Sequence, residues 1–132
     1  VRDTGKKNIG VIGLSFKAGT DDLRESPAVK MVRALLDQGL IVQIFDEAIN
    51  IDLLLGANRE FMERALPELP SLLKSSLETV IASSDVIVLS QKVNLDSEVL
   101  ACLIKDDQII VDLVGQEELR MRQRGRYIGI CW

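Results

Sequence analysis

The sequence contains no histidine, so His-based triads, His general bases and His metal ligands are excluded within these 132 residues. It has only two cysteines, Cys102 and Cys131, which are far apart and lack C-x-x-C spacing. Because no histidine can activate either thiol, we interpret both as small apolar side chains of a reduced, cytoplasmic protein. We expect neither a catalytic nucleophile nor a metal site in this chain.

Aromatic residues are also scarce, at 4% against 47% hydrophobic residues in all, which predicts an aliphatic core of the α/β type. Sixteen basic against twenty acidic residues give a net charge of -4. Since nucleic-acid and anionic-membrane surfaces usually need the opposite balance, we expect neither partner, and any anion must bind through a few placed cations. No apolar run approaches the length of a membrane span. The chain starts without Met, so we expect it to be part of a longer protein.

The hydrophobic pattern predicts one doubly wound, mainly parallel α/β sheet over residues 1–132. A short β-branched run at 9–14 is typical of a buried strand. Ser26-Pro27 predicts the start of a helix, with the Ser26 side chain capping its free backbone donors. Gly39 ends that helix, and residues 40–45 form the next strand. The two strands and the helix between them make a βαβ unit. The remaining predicted elements are an irregular excursion over 47–73 with short helices interrupted by Gly56, Pro67 and Pro70, helices at 77–84, 96–104 and 116–124, strands at 85–90 and 108–114, and an edge strand at 126–131.

The polar stretch between the first strand and the first helix is the candidate ligand site. Gly10, Gly13 and Gly19 do not match G-x-G-x-x-G, and Pro27 removes a donor from the helix N-terminus. Phosphate binding would therefore depend on Lys17 and on loop amides near Gly19. A solvated surface lysine is an equally good interpretation of Lys17.

Other polar residues near the strand ends leave alternatives open. Asp21 and Asp22 fit local pairing better than catalysis, and Arg24 could bind either them or a second ligand. Asp46 follows the second strand, where dinucleotide folds place a ribose-binding acid, but a turn role is favoured. Ser90, Gln91 and Lys92 could touch a ligand, but a solvated loop is favoured. Asp112 could be buried and hydrogen-bonded or could line the crevice. The basic cluster Arg120, Arg122, Arg124 and Arg126 is interpreted as a solvated helix end.

Residues 13–27, GLSFKAGTDDLRESP, resemble the loop that opens the C-terminal domain of nucleotide-sugar 6-dehydrogenases. The resemblance continues through Phe45-Asp46, Ser84-Asp85-Val-Ile-Val-Leu and Ile110-Val-Asp. It covers most of the chain, and within the UDP-glucose/GDP-mannose dehydrogenase family it is strongest to the GDP-mannose branch, including the ending Gly129-Ile-Cys-Trp.

The resemblance implies an NAD-dependent oxidation of the sugar C6 alcohol of GDP-mannose to the carboxylate, as in alginate-type polysaccharide biosynthesis. It implies that Phe16 and Lys17 contact the substrate diphosphate and that Arg24 reaches toward NAD. The NAD domain, a central helix and the catalytic cysteine would precede this chain, which would be inactive alone. It also implies contact with that N-terminal domain and a homo-oligomer.

Two departures from the motifs of UDP-glucose dehydrogenases weaken the assignment of UDP-glucose as the substrate. The Asp-Gly-Arg-Asn run of UDP-glucose enzymes is Asp112-Leu-Val-Gly here, and their Thr-Glu-Trp run is Ser90-Gln-Lys. The alternatives to a GDP-mannose-binding domain are a UDP-sugar dehydrogenase domain, a self-contained dinucleotide-binding domain, and a non-catalytic assembly module.

Overall fold

Five parallel strands form one sheet in the order β2-β1-β3-β4-β5. The computed structural model describes residues 8–14, 23–24, 26–47, 49–50, 52, 54–90, 104–105, 107–113 and 126–129. Within these ranges the elements are β1 (Asn8–Ile12), α1 (Pro27–Asp37), β2 (Ile41–Phe45), α2 (Gly56–Ala65), α3 (Leu69–Leu72), α4 (Leu77–Ser83), β3 (Val86–Leu89), β4 (Ile109–Asp112) and β5 (Arg126–Gly129).

Helices cover both faces of this sheet, because successive strand side chains point to opposite sides. Ile9 and Val11 of β1 pack in one cluster with buried residues of α1, α2 and α3. Ile12 packs in the other cluster with Val80 and Ile81 of α4. The prediction of a doubly wound parallel α/β fold is therefore confirmed.

The element boundaries agree closely with the hydrophobic pattern. Gly39 has φ +81° and follows α1, as expected of a left-handed stop. The excursion after β2 does contain two short helices, α2 and α3. The predicted helix at 116–124 and most of that at 96–104 lie outside the described residues.

Three local predictions need correction. Gly56 does not interrupt a helix but begins α2, and Pro70 lies in the first turn of α3, where a missing N–H costs nothing. Ser26 precedes α1, yet its side chain makes no capping hydrogen bond to the helix. Its hydroxyl instead donates to the carbonyl of Leu14, because that buried carbonyl needs a partner.

Within the described part of the chain, no helix combines the length and the apolar character needed to cross a membrane.

Candidate functional site

The carboxyl end of β1 is fixed on three sides before the chain enters the predicted ligand loop. Gly13 adopts φ +91°, which a residue with a Cβ rarely tolerates, and its amide donates to the Phe45 carbonyl at 2.8 Å. The Leu14 amide donates to Oδ2 of Asp46 at 2.9 Å, and the Leu14 carbonyl accepts from Ser26 Oγ at 2.5 Å. Leu14 is fully buried. The loop therefore departs from an anchored residue.

The returning end of the same loop is fixed by a different element. Leu23 is buried, and its amide donates to Oδ1 of Asn58 at 2.8 Å. Its carbonyl accepts from the Ser26 amide at 3.3 Å. Asn58 lies in the first turn of α2, which packs beside α1. Both ends of segment 15–22 are thus held at the carboxyl edge of the sheet, where ligands of this architecture bind.

Ser90 ends β3 beside this position and ties the two strands together. Its amide donates to the Ile12 carbonyl at 3.0 Å, and its hydroxyl donates to the same oxygen at 3.0 Å. The hydroxyl also contacts the Gly13 carbonyl. Ser90 therefore supports the strand ends, whereas Gln91 and Lys92 lie outside the described residues.

Asp46 has the turn role that the residue pattern favours. It is only 8% exposed, one carboxylate oxygen accepts from Leu14, and its carbonyl accepts from the Ile49 amide at 3.2 Å. Because one carboxylate oxygen holds the Leu14 amide, this arrangement favours the turn role over that of a ribose-binding acid. Asp112, at the end of β4, is fully buried.

A cavity of about 700 Å³ opens next to the end of β2, on the side away from β1. Its lining is mixed: Phe45, Ile49, Pro70 and Leu73 supply apolar surface, and Asp46, Glu47, Asn50, Asp52, Lys74 and Ser75 supply polar groups. Leu73 forms an isolated parallel bridge with Ile44, so the wall of this cavity extends from the edge of the sheet.

The structure describes only some of the residues predicted to form the site. Phe16, Lys17, Asp21 and Asp22 lie outside the described residues, so their roles remain predictions. Arg24 directly follows the anchored Leu23 and is exposed. Of the basic cluster, Arg120, Arg122 and Arg124 are also outside, as are Cys102 and Cys131. In the described ranges, no group of three or more acidic or Cys side chains could hold a metal ion.

Sequence reasoning missed Asn58. It lies in the excursion after β2, where the periodicity is irregular, and asparagine in a first helical turn is common. Its contact with Leu23 joins residues 35 positions apart in the chain. Only the packing of α2 brings the two together, so no local pattern could indicate the pair.

Comparison with known proteins identifies the family to which the chain belongs. Residues 10–116 match the model of the UDP-glucose/GDP-mannose dehydrogenase family, UDP binding domain. GDP-mannose 6-dehydrogenase of Pseudomonas savastanoi pv. phaseolicola is 39% identical over 126 residues, which is 96% of this chain and 28% of that protein. UDP-glucose 6-dehydrogenase of Rickettsia bellii is 37% identical over 115 residues, covering 84% of this chain and 24% of that protein.

A solved structure agrees with these relatives. The ternary complex of GDP-mannose dehydrogenase from Pseudomonas aeruginosa superposes with a TM-score of 0.79 at 38% identity, over 99% of this chain and 29% of that one. The chain thus spans under a third of the length of the proteins it matches. The resemblance carried by residues 13–27 is confirmed, and the chain belongs to the UDP-glucose/GDP-mannose dehydrogenase family, in the part described as its UDP binding domain.

Proposed function

We propose that this chain is the sugar-nucleotide-binding domain of a cytoplasmic, NAD-dependent GDP-mannose 6-dehydrogenase. The observation that carries the proposal is the match, over 99% of this chain, to the GDP-mannose dehydrogenase structure from Pseudomonas aeruginosa. The complete enzyme would oxidise the C6 alcohol of GDP-mannose to the carboxylate of GDP-mannuronate, which supplies alginate-type polysaccharide synthesis. It would be a homo-oligomer in which this domain contacts the N-terminal domain of its own chain.

In this proposal, Phe16 and Lys17 contact the diphosphate of the substrate. The anchoring of Leu14 and Leu23 supports this assignment, because these two residues, which flank Phe16 and Lys17 in the chain, are held near the carboxyl edge of the sheet. A lysine ammonium there would neutralise a phosphate as a compact point charge. With a net charge of -4, the chain needs such a local cation to hold a dianionic ligand.

NAD would bind mainly to the preceding domain, with Arg24 of this chain reaching toward it. The described residues here do not fit a dinucleotide. Pro27 removes an amide donor from the first turn of α1, and the Asp46 carboxylate is buried against the Leu14 amide. When bound, two NAD⁺ molecules would accept the two hydrides that leave C6. These features disfavour a self-contained dinucleotide-binding domain.

A UDP-sugar dehydrogenase is the second candidate. The similarity to the UDP-glucose 6-dehydrogenase of Rickettsia bellii and the description of the family model favour it. The replacement of Asp-Gly-Arg-Asn by Asp112-Leu-Val-Gly speaks against it, because an arginine expected to meet that substrate is missing.

Calorimetric titration of the chain with GDP-mannose, UDP-glucose and NAD⁺ tests the proposal. We expect GDP-mannose to bind tightest and NAD⁺ not to bind. Lys17→Ala should weaken GDP-mannose binding by about 10- to 100-fold, the usual cost of a lost charge-assisted contact. Lys30→Ala is the matched control, because Lys30 is exposed on α1.

The outcomes separate the candidate functions. Tighter binding of UDP-glucose would favour the second candidate, and binding of NAD⁺ alone would identify a dinucleotide domain. Binding of no ligand would indicate an assembly module. Equal losses in Lys17→Ala and Lys30→Ala would remove the specific role of Lys17.

A further inference from the structure

We draw no further inference here: the strongest candidate, the cavity of about 700 Å³ beside the end of β2, carries nothing, because its charged lining is chiefly the acidic cluster Asp46, Glu47 and Asp52 and nothing in the part of the chain that the structure describes shows which ligand would fill it.

Discussion

At the scale of single residues, Gly10 shows how closely α4 approaches the sheet. A Cβ built at Gly10 would lie 2.9 Å from Cγ1 of Val80 and closer still to Oγ of Ser84. Both neighbours are buried, and the Ser84 hydroxyl donates to the Val80 carbonyl at 2.6 Å. The glycine is therefore required by the packing of α4 on β1 and not by a phosphate turn.

We expect Gly10→Ala to lower the free energy of unfolding by about 2 kcal/mol, because overpacking a filled core forces backbone or rotamer shifts. Urea unfolding, with the slope compared to the wild type, measures this change. The double mutant Gly10→Ala/Ser84→Ala is the control. Since Ser84→Ala removes the nearest clashing atom, it should cost less in the Gly10→Ala background than in the wild type. Strict additivity would contradict the steric explanation.

At the scale of elements, one ion pair joins α1 to the start of α3. Nη1 of Arg33 lies 2.8 Å from Oε1 of Glu68, and Nη2 lies 3.0 Å from Asp37 in the same helix. The hydrogen bond from Arg33 lowers the pKa of Glu68 below its ordinary value. The same contact raises the pKa of Arg33, which stays charged throughout.

This shift predicts a pH-dependent effect of Glu68→Gln. A carboxylate with a lowered pKa in the folded state stabilises the fold above its unfolded pKa, and that stabilisation is lost as pH falls through the folded pKa. The variant should therefore melt below the wild type near neutral pH, and the gap should close as the pH falls below the ordinary titration range of a glutamate carboxyl. Thermal melts at several pH values check this. Glu60→Gln controls for the change of net charge, and a gap that widens in acid would contradict the assignment.

Local patterns predicted the elements of this fold better than its long-range polar contacts. The strand at 9–14, the stop at Gly39 and the strand ending in Asp46 each have a signal within a few residues. The hydrogen bonds of Gln108 have no such local signal. This residue is buried, and its Nε2 donates to the carbonyls of Ile81 at 2.5 Å and Ser84 at 2.7 Å. Which partner a buried amide finds depends on how α4 and β4 pack, and periodicity carries no information on that.

In the candidate site, too, the local elements could be predicted and the long-range contacts could not. A strand, a polar stretch and a helix start follow one another in the chain, and this order predicts a ligand loop after the first strand. The structure confirms the strand and the helix on either side of that stretch. The residues that hold the two ends of that stretch could not be predicted. Asp46 and Asn58 reach Leu14 and Leu23 from 32 and 35 residues away, respectively. The hydroxyl of Ser26 was expected to cap a helix and instead bonds the Leu14 carbonyl.

At the scale of the whole molecule, the sheet order places the first and third strands side by side, with their carboxyl ends joined by Ser90. Order β2-β1-β3 makes this the point where successive connections turn to opposite sides, which is where open α/β sheets bind ligands. Arg24 leaves the anchored Leu23 at this edge and is exposed. In the proposed enzyme, Arg24 would face the domain that binds NAD.

In the proposed complete dehydrogenase, substitutions of Lys17 and Arg24 should therefore affect different kinetic constants. Lys17→Ala should raise the KM for GDP-mannose with little change in the KM for NAD⁺, because a diphosphate contact is lost. Arg24→Ala should do the reverse, because the proposed contact of Arg24 is with NAD on the preceding domain. Initial rates of NADH formation, with each substrate varied in turn, measure both constants.

Arg64→Ala is the matched control, since Arg64 is exposed on α2 and lies 5.9 Å from the centre of the Phe61 ring. If Arg24→Ala instead weakens GDP-mannose more than NAD⁺, Arg24 belongs to the substrate site and the assignment to the cofactor is wrong.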